Sequence, residues 1–572
     1  MQIKKISIHN YRNLDGQSVS FADYCNFIVG ENNLGKTNLL NAFQTLFTNK
    51  SFKLNDFTDI LKPIEITIQL SLADLEIGHF EDLFDTDDYH LINITCSQLT
   101  LDDNIEFHHT ETNTFILPST IRAINFVYYD SLRNPISEIN FDKGKGVGRF
   151  LSKIVSSYVA EKQLSDKDFI NEEKINELLA NINSKISKLK TFNDFKIKAN
   201  SETDIESLLS KVIVLKDAKG ESLAKSGYGV QFLILITLSI LERIQSIKEQ
   251  RKEKGIFEHE TDHTKHISLI IGLDEPEIHL HPYMQRSLIK YLNKIILNEN
   301  SEFQQLVKEL FDIDGFYGQI IVATHSPNIL LNDFRQIIRL YPSNGHTKIK
   351  SGSEINLHPQ YAKHLYMQFP FMKEAFFSRC AIFVEGVSEE GSLGHFATKM
   401  SIDFDDLGIC VIQSRGGAVK TIDILMRLAA KFDIPSVGIA DKDNNGPTAA
   451  PLYLTNKKDF EEELVSLIDS SNETFLNDLV KDYEGEDATV QTGALNRYAV
   501  KAFRITAIEY TTDLKLSQIP KTDITNLKAF YLTWLSVKKS YPLAKLIGEK
   551  LKVEDIPSVY KTVISKAVEL SN

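Results

Sequence analysis

Cys25-Asn26-Phe27-Ile28-Val29-Gly30-Glu31-Asn32-Asn33-Leu34-Gly35-Lys36-Thr37-Asn38 reads as a short apolar strand running into a phosphate loop. Gly30 to Thr37 fits the pattern G-x-x-x-x-G-K-[ST] at every position, and Asn38 to Phe47 continues as a helix. Such a loop turns backbone N–H groups toward phosphate oxygens at a helix N-terminus. Lys36 then reaches the β- and γ-phosphates, and the Thr37 hydroxyl sits on Mg²⁺. The nucleotide-binding candidates here are Gly30, Asn33, Gly35, Lys36, Thr37 and Asn38.

Two further apolar runs, Ile267–Leu273 and Gln319–Ala323, have the look of strands buried on both faces in an α/β sheet. The first delivers Asp274-Glu275-Pro276-Glu277, two adjacent carboxylates at the strand end where ligands bind in open α/β folds. Asp274 is expected to hold Mg²⁺ and Glu275 to orient or deprotonate water. The second run ends in Thr324-His325-Ser326-Pro327, which offers His325 as a sensor of the γ-phosphate.

A chain of 572 residues with 42% apolar content can fill two or three cores. The net charge of -13 argues against a surface coated in basic groups, while leaving room for a local basic groove. No charged-then-apolar leader and no apolar run of roughly 18 residues stands out, so a cytoplasmic protein with no membrane partner is expected. The four cysteines, Cys25, Cys96, Cys380 and Cys410, are too scattered for a metal knuckle and read as buried small hydrophobes. Between about 150 and 216 the pattern turns helical, with Ile175, Leu178, Ile182, Ile186 and Leu189 on one face. Solvation is the plain reading of Lys185, Lys188, Lys190, Lys196 and Lys198 in or after this stretch, and DNA contact is the other.

A second α/β unit begins near Lys373. Its strand Ala381–Val384 ends at Glu385-Gly386-Val387-Ser388-Glu389, and Ser436–Ala440 ends at Asp441-Lys442-Asp443. Hard divalent cations take oxygen ligands, and clustered carboxylates at strand ends suit Mg²⁺ or Mn²⁺ that activates water against a phosphodiester. Glu385, Glu389, Asp441 and Asp443 are the metal candidates. Arg415, Lys420, Lys442 and Lys545 lie on segments near these clusters, where solvation competes with guidance of a phosphate backbone.

The opening Ile6-Ser7-Ile8-His9-Asn10-Tyr11-Arg12-Asn13, the phosphate loop, the Asp274–Glu277 box and His325 together resemble ABC ATPases of the SMC, Rad50 and RecF type over roughly residues 1 to 370. That resemblance implies a composite site closed by a second subunit, for which Ser226-Gly227-Tyr228-Gly229-Val230-Gln231 is the counterpart of the signature, with Tyr228 departing from the usual Ser-Gly-Gly core. The spacing of Lys36 and Ser226 is too short for long coiled-coil arms, so the stretch at about 150–216 is read as a helical dimerisation insert.

The strand-end Glu followed by a strand-end Asp-x-Asp resembles the Toprim domain of topoisomerases, primases and overcoming-lysogenization-defect (OLD) nucleases, and ATPase followed by Toprim is the OLD order. The resemblance implies an α/β chain with an ABC-type ATPase domain over 1–372 and a Rossmann-like Toprim nuclease domain over 373–572. It also implies that Glu509 or Asp513 completes the metal shell and that Lys539, or its neighbour Lys538, supports the scissile phosphate. The expected catalytic set is Glu385, Asp441, Asp443 and Lys539 for DNA cleavage, with Glu275 serving ATP. The implied cofactors are ATP and Mg²⁺ or Mn²⁺, and the implied partners are double-stranded DNA and further copies of the chain. Gabija-type members of this group act in anti-phage defence, with nucleotide as a regulator and a helicase-like partner. The rival readings are a Rad50- or RecF-like DNA-clamp ATPase whose Toprim is structural, and a Toprim topoisomerase. For the latter, none of the 20 tyrosines announces itself as the linking residue.

Overall fold

A computed structural model of the chain describes residues 1–48, 50–81, 83–130, 146–163, 177, 179–180, 227–250, 255–259, 261–278, 280–416, 419–443, 448–470, 473–485 and 487–572. It divides into two compact units, one comprising Met1–Ser18, Asp23–Phe27 and Thr37–Ile329, the other Val19–Ala22, Ile28–Lys36 and Leu330–Asn572. Most of the expected dimerisation insert, and Ser226 with it, lies outside the described residues.

In chain order, β1 (Gln2–His9), β2 (Gln17–Ser20) and β3 (Cys25–Gly30) lead to helix α1 (Lys36–Thr48). There follow β4 (Ile64–Ser71), β5 (Leu91–Gln98), β6 (Glu106–His109), β7 (Asn125–Tyr129), helix α2 (Tyr228–Gln250), β8 (Ile256–Glu258), β9 (Lys265–Asp274) and β10 (Gly315–Ala323). Within the first unit β1, β4, β5 and β6 pair antiparallel in that order. Every second residue of β4 and β5 is buried, the mark of a sheet with one face on the core. β7, β9 and β10 are parallel neighbours, and β9 is buried from Ile267 to Asp274, which accounts for its unbroken apolar run. This register sets Asp274 beside Ala323, so the acidic box and His325 leave the same carboxyl edge.

The window Gly229–Glu249 of α2 is long and apolar enough by composition to cross a membrane. Its residues Leu235, Ile236, Ile240, Ile244 and Ile247 are fully or almost fully buried at helical spacing, which is the pattern of a helix against a protein core.

The second unit contains the hairpin β11 (Ile337–Ser343) and β12 (His346–Ser351), then helix α3 (Pro359–Met372). β13 (Cys380–Val384), helix α4 (Val387–Lys399), β14 (Ile409–Gln413), helix α5 (Val419–Lys431), β15 (Ser436–Ala440) and β16 (Leu452–Leu454) build a four-stranded sheet with spatial order β14-β13-β15-β16. All three pairings are parallel. Helices α6 (Phe460–Ser466), α7 (Ile524–Lys538) and α8 (Ser558–Ser571) are among those that pack on it, and Phe460, Trp534, Tyr560 and Val563 share a core with Ile382, Val384 and Ile439. The first strand pairs with the second on one side and the third on the other. The chain therefore reverses direction across the sheet between β13 and β15, and a crevice opens there at the carboxyl ends of the strands.

Arg339 of β11 is buried, and its guanidinium donates to Phe432 O (3.1 Å), Asp433 O (2.9 Å) and Ser378 O (3.2 Å). Burial pulls its pKa down to about 10, still charged at neutral pH, so three carbonyls hold a cation that has left water. The bonds tie β11 to the turns that precede β13 and β15.

Candidate functional site

The phosphate loop owes its path to residues that accept a left-handed backbone. Gly30 (φ 141°) and Gly35 (φ 98°) carry positive φ, and so does Asn33 (φ 63°). A Cβ on Gly30 would stand 2.2 Å from the Leu340 carbonyl oxygen, so no larger residue fits at the end of β3. Lys36 is buried and donates to Gly30 O (2.8 Å) and Glu31 O (2.7 Å). Within the first unit, Thr37 Oγ1 donates to Asp274 Oδ1 at 3.0 Å, and the Tyr128 hydroxyl reaches the other carboxylate oxygen at 3.4 Å. Burial, with help from Glu275, pushes Asp274 up to about 6, and its hydrogen bonds to Thr37 and Tyr128 act against this.

Glu275 sits at φ 47°, a strained position for a non-glycine, and its carboxylate lies 3.3 Å from His325 Nε2. Glu277, to which sequence reasoning assigned no role, accepts from the Thr324 hydroxyl (2.8 Å) and the His325 amide (2.6 Å), fixing the turn that carries the histidine. Asn38 faces the opening motif, accepting from Arg12 (2.5 Å) and donating to Asn13 Oδ1 (2.8 Å).

In the second unit Glu385 and Asp441 leave the ends of β13 and β15 at the crevice, and the Asp441 amide donates to Glu385 Oε2 at 3.0 Å. Glu389, in the first turn of α4, is buried and accepts from the Gly386 amide at 3.1 Å. Lys539 follows α7 and donates to Glu461 Oε2 at 3.2 Å, while the Ser388 hydroxyl donates to Glu461 Oε1 at 2.7 Å. A Cβ on Gly386 would lie 2.9 Å from Glu389 Oε2 and 3.7 Å from Lys539 Nζ, so glycine keeps both side chains close to the strand end.

Burial and the neighbouring carboxylates push Asp441 up to about 9, with Lys539 pulling the other way. The same causes take Glu389 to about 7, and burial with Glu461 takes Asp459 to about 7. Burial opposes the Lys539 charge, but Glu461, Glu389 and Asp441 outweigh it and raise its pKa above the ordinary value.

Asp459 and Glu461 were not foreseen. Asp459 Oδ1 caps α6 through the Glu462 amide (2.8 Å), so the pair reads in sequence as an ordinary helix start. Of the expected metal residues, three are exposed. Asp443 is exposed, with positive φ (35°) and its amide tied to Lys458 O. Asp513 is exposed and accepts from the Thr492 amide (2.7 Å) and hydroxyl (2.5 Å), bonds that lower its pKa. Glu509 is exposed on the same irregular stretch. Lys538 pairs with Glu484 at 3.0 Å, which leaves Lys539 as the lysine at the acidic cluster.

Among the described residues no three metal-binding side chains are preset as a ligand shell. The donor set nonetheless fits a hard divalent cation, since the carboxylates converge and their raised pKa values mark a shortage of positive charge.

Residues 1–126 and 99–330 match the family model described as an AAA ATPase domain. The chain belongs to this family. Residues 376–443 match the Toprim domain of overcoming-lysogenization-defect-like proteins, so this AAA ATPase-domain protein carries the two modules of an OLD-family nuclease in that order. It is 22% identical over 392 residues to endonuclease GajA of Bacillus cereus, an alignment covering 62% of this chain and 53% of that protein. The chain thus spans about half the length of that relative. A 62-residue stretch is 39% identical to the replication and repair protein RecF of Bacillus cytotoxicus, covering 11% of this chain and 17% of that one. Among solved structures, the C-terminal region of the Burkholderia pseudomallei OLD protein aligns with 34% of this chain and 100% of its own at 16% identity and a TM-score of 0.23.

The folded-state pKa of Asp441 lies above the ordinary aspartate value, so the fold binds its proton more tightly than the unfolded chain does. Metal-free protein is therefore expected to lose stability as pH rises from about 4 toward 9. Asp441→Asn in chelator should raise the melting temperature by roughly 2–4 °C for each kcal/mol of repulsion removed. The gain is expected to be large at pH 8 and small at pH 5; an equal gain at both would contradict the electrostatic origin.

Proposed function

We propose that the chain is an ATP-regulated, divalent-metal-dependent endonuclease that nicks or cuts double-stranded DNA, working as a homo-oligomer in the cytoplasm in defence against phage. The observation that carries this reading is the set of buried carboxylates with raised pKa at the β13/β15 crevice, next to Lys539. Glu385, Glu389 and Asp441 would hold Mg²⁺ or Mn²⁺, which when bound supplies an activated water and charge for the leaving oxygen. Lys539 would balance the charge of the scissile phosphate, and Glu461 holds that lysine through its bond of 3.2 Å. The GajA relative is an endonuclease, in agreement with this reading, and a helicase-like partner is part of the proposal. Thr37 and Asp274 would hold the metal of ATP, with Glu275 and His325 facing the γ-phosphate.

Regulation by nucleotide has its own support inside the second unit. Arg379, directly before β13, grips Glu31 of the phosphate loop through two bonds of 3.0 Å. β13 runs from Cys380 to Val384, and the next residue along the chain is Glu385. A change in the loop that moves Glu31 thus acts on the strand that positions the first metal candidate.

Conversion of supercoiled plasmid with Mg²⁺ or Mn²⁺, with and without ATP, tests the main reading. Wild type is expected to cut and Asp441→Ala to lose at least about a hundredfold in rate, about 2.7 kcal/mol at the barrier. No cutting by wild type under any condition would move the weight to the DNA-clamp ATPase, and equal cutting by both would take the activity away from Asp441. For regulation, Arg379→Glu is expected to bind ATP as wild type does while the ratio of cutting rates with and without ATP moves about threefold or more toward one. An unchanged ratio would remove this pair from the regulatory path.

A further inference from the structure

Gln413-Ser414-Arg415-Gly416 leaves the carboxyl end of β14, beside the strand that delivers Glu385. The Ser414 amide donates to Val384 O at 2.8 Å, which keeps Ser414 in step with β13 and puts Arg415 one residue further along the same edge. Helix α3 grips Arg415 at two points. Gln368, buried on α3, accepts from the Arg415 amide at 2.9 Å and donates through its own amide to the Arg415 carbonyl. Three residues on, the Phe371 ring lies under the guanidinium, 4.9 Å from its centre.

The charged end is nevertheless exposed, and among the described residues its N–H groups donate to no carboxylate or carbonyl. Burial raises the pKa of Glu390 on α4 and the charge of Arg415 acts against it, without a hydrogen bond between the two. Three other exposed arginines of this unit are engaged: Arg379 with Glu31, Arg335 with Asp333 and Arg427 with Asp423. Two of the basic residues that sequence reasoning grouped with Arg415 differ from it too, since Lys442 reaches Asn456 O at 3.5 Å and Lys545 its helix neighbour Glu549 at 3.7 Å. Two backbone bonds and a ring thus fix a cation whose donors face outward, next to an acidic crevice in a chain of net charge -13. A planar fork of this kind matches phosphate oxygens, and holding it in place before binding lowers the entropy lost on contact.

We propose that Arg415 binds a backbone phosphate of the DNA substrate and positions the strand over the Glu385–Asp441 crevice. The proposal rests on the nuclease reading and adds the residue that sets the register of the backbone. It is a contact without sequence information, so it acts alike on unrelated duplexes.

The test uses the full chain and a labelled duplex of about 30 base pairs, its anisotropy followed from about 50 to 200 mM KCl in Ca²⁺, with cutting of the same duplex measured in Mn²⁺. Arg415→Ala is expected to weaken binding about fivefold or more, to make the plot of log affinity against log salt shallower by about 0.9, and to raise KM with little change in kcat. Arg415→Lys should recover part of the affinity, and Phe371→Ala, which keeps the charge but removes its platform, should fall between. Melting temperatures close to that of wild type exclude simple unfolding. An unchanged affinity and salt slope in Arg415→Ala would overturn the proposal, as would a fall in kcat alone. Wild type that binds but never cuts would sink the nuclease reading and leave the phosphate contact standing.

Discussion

Burying several carboxylates together is the constraint around which the second unit is organised. Each would shed its charge if left alone out of water, and together they repel. Lys539 answers part of that repulsion, and the remainder appears as the raised pKa values of Asp441, Glu389 and Asp459. A hydrophobic core of the same shape would be more stable, so the cluster is retained at a cost in stability that a bound cation would offset. The surrounding glycine, serine and helix-start positions all serve to keep these side chains near one another, from Gly386 beside Glu389 to Ser388 on Glu461.

The sheet supplies the place. With β13 central and β14 and β15 on either side, the strand ends at Glu385 and Asp441 meet at the reversal of strand order. Residues Gly30–Lys36 of the phosphate loop fall in the same compact unit as this sheet, and Gly30 is closed against Leu340 of β11. Arg339 then holds β11 to the turns before β13 and β15. Within one unit there is a continuous set of contacts from the loop to the strands that carry the carboxylates.

Legibility in the sequence followed how locally the chemistry is written. The phosphate loop is a run of consecutive residues between a strand and a helix, so pattern alone located it. Glu385 and Asp441 were legible because an apolar strand announces its own end. Asp459 and Glu461 were not, since Asp459-Phe460-Glu461-Glu462-Glu463 looks like an N-cap with an acidic first turn, and nothing in it says that Glu461 and Glu463 are buried. Asp443 was expected in the metal shell from its place at a strand end, and Glu509 or Asp513 from family resemblance, neither of which fixes direction: Asp443 is exposed with a positive φ, and Asp513 accepts from Thr492. The choice between Lys538 and Lys539 turned on a helix end. α7 stops at Lys538, and Lys539 leaves helical geometry with ψ 112°, which sends adjacent side chains to different partners.

Both sites hold their polar groups in pairs that a ligand would have to exchange. Lys36 donates to Gly30 O and Glu31 O, Thr37 to Asp274, and Lys539 to Glu461. Binding of a phosphate or cation therefore replaces hydrogen bonds instead of simply adding them, and only the difference contributes to affinity. The consequence differs between the two places. At Glu461 the exchange frees a lysine next to the reacting phosphate, which favours the charged complex. At Glu31 the carbonyl that Lys36 releases belongs to the residue whose carboxylate Arg379 grips, so the same exchange perturbs a contact leading to β13. A loop that bound phosphate without giving up any internal bond would have no such reason to move, and under the proposed regulation the internal pairing is what would let the nucleotide site report its state.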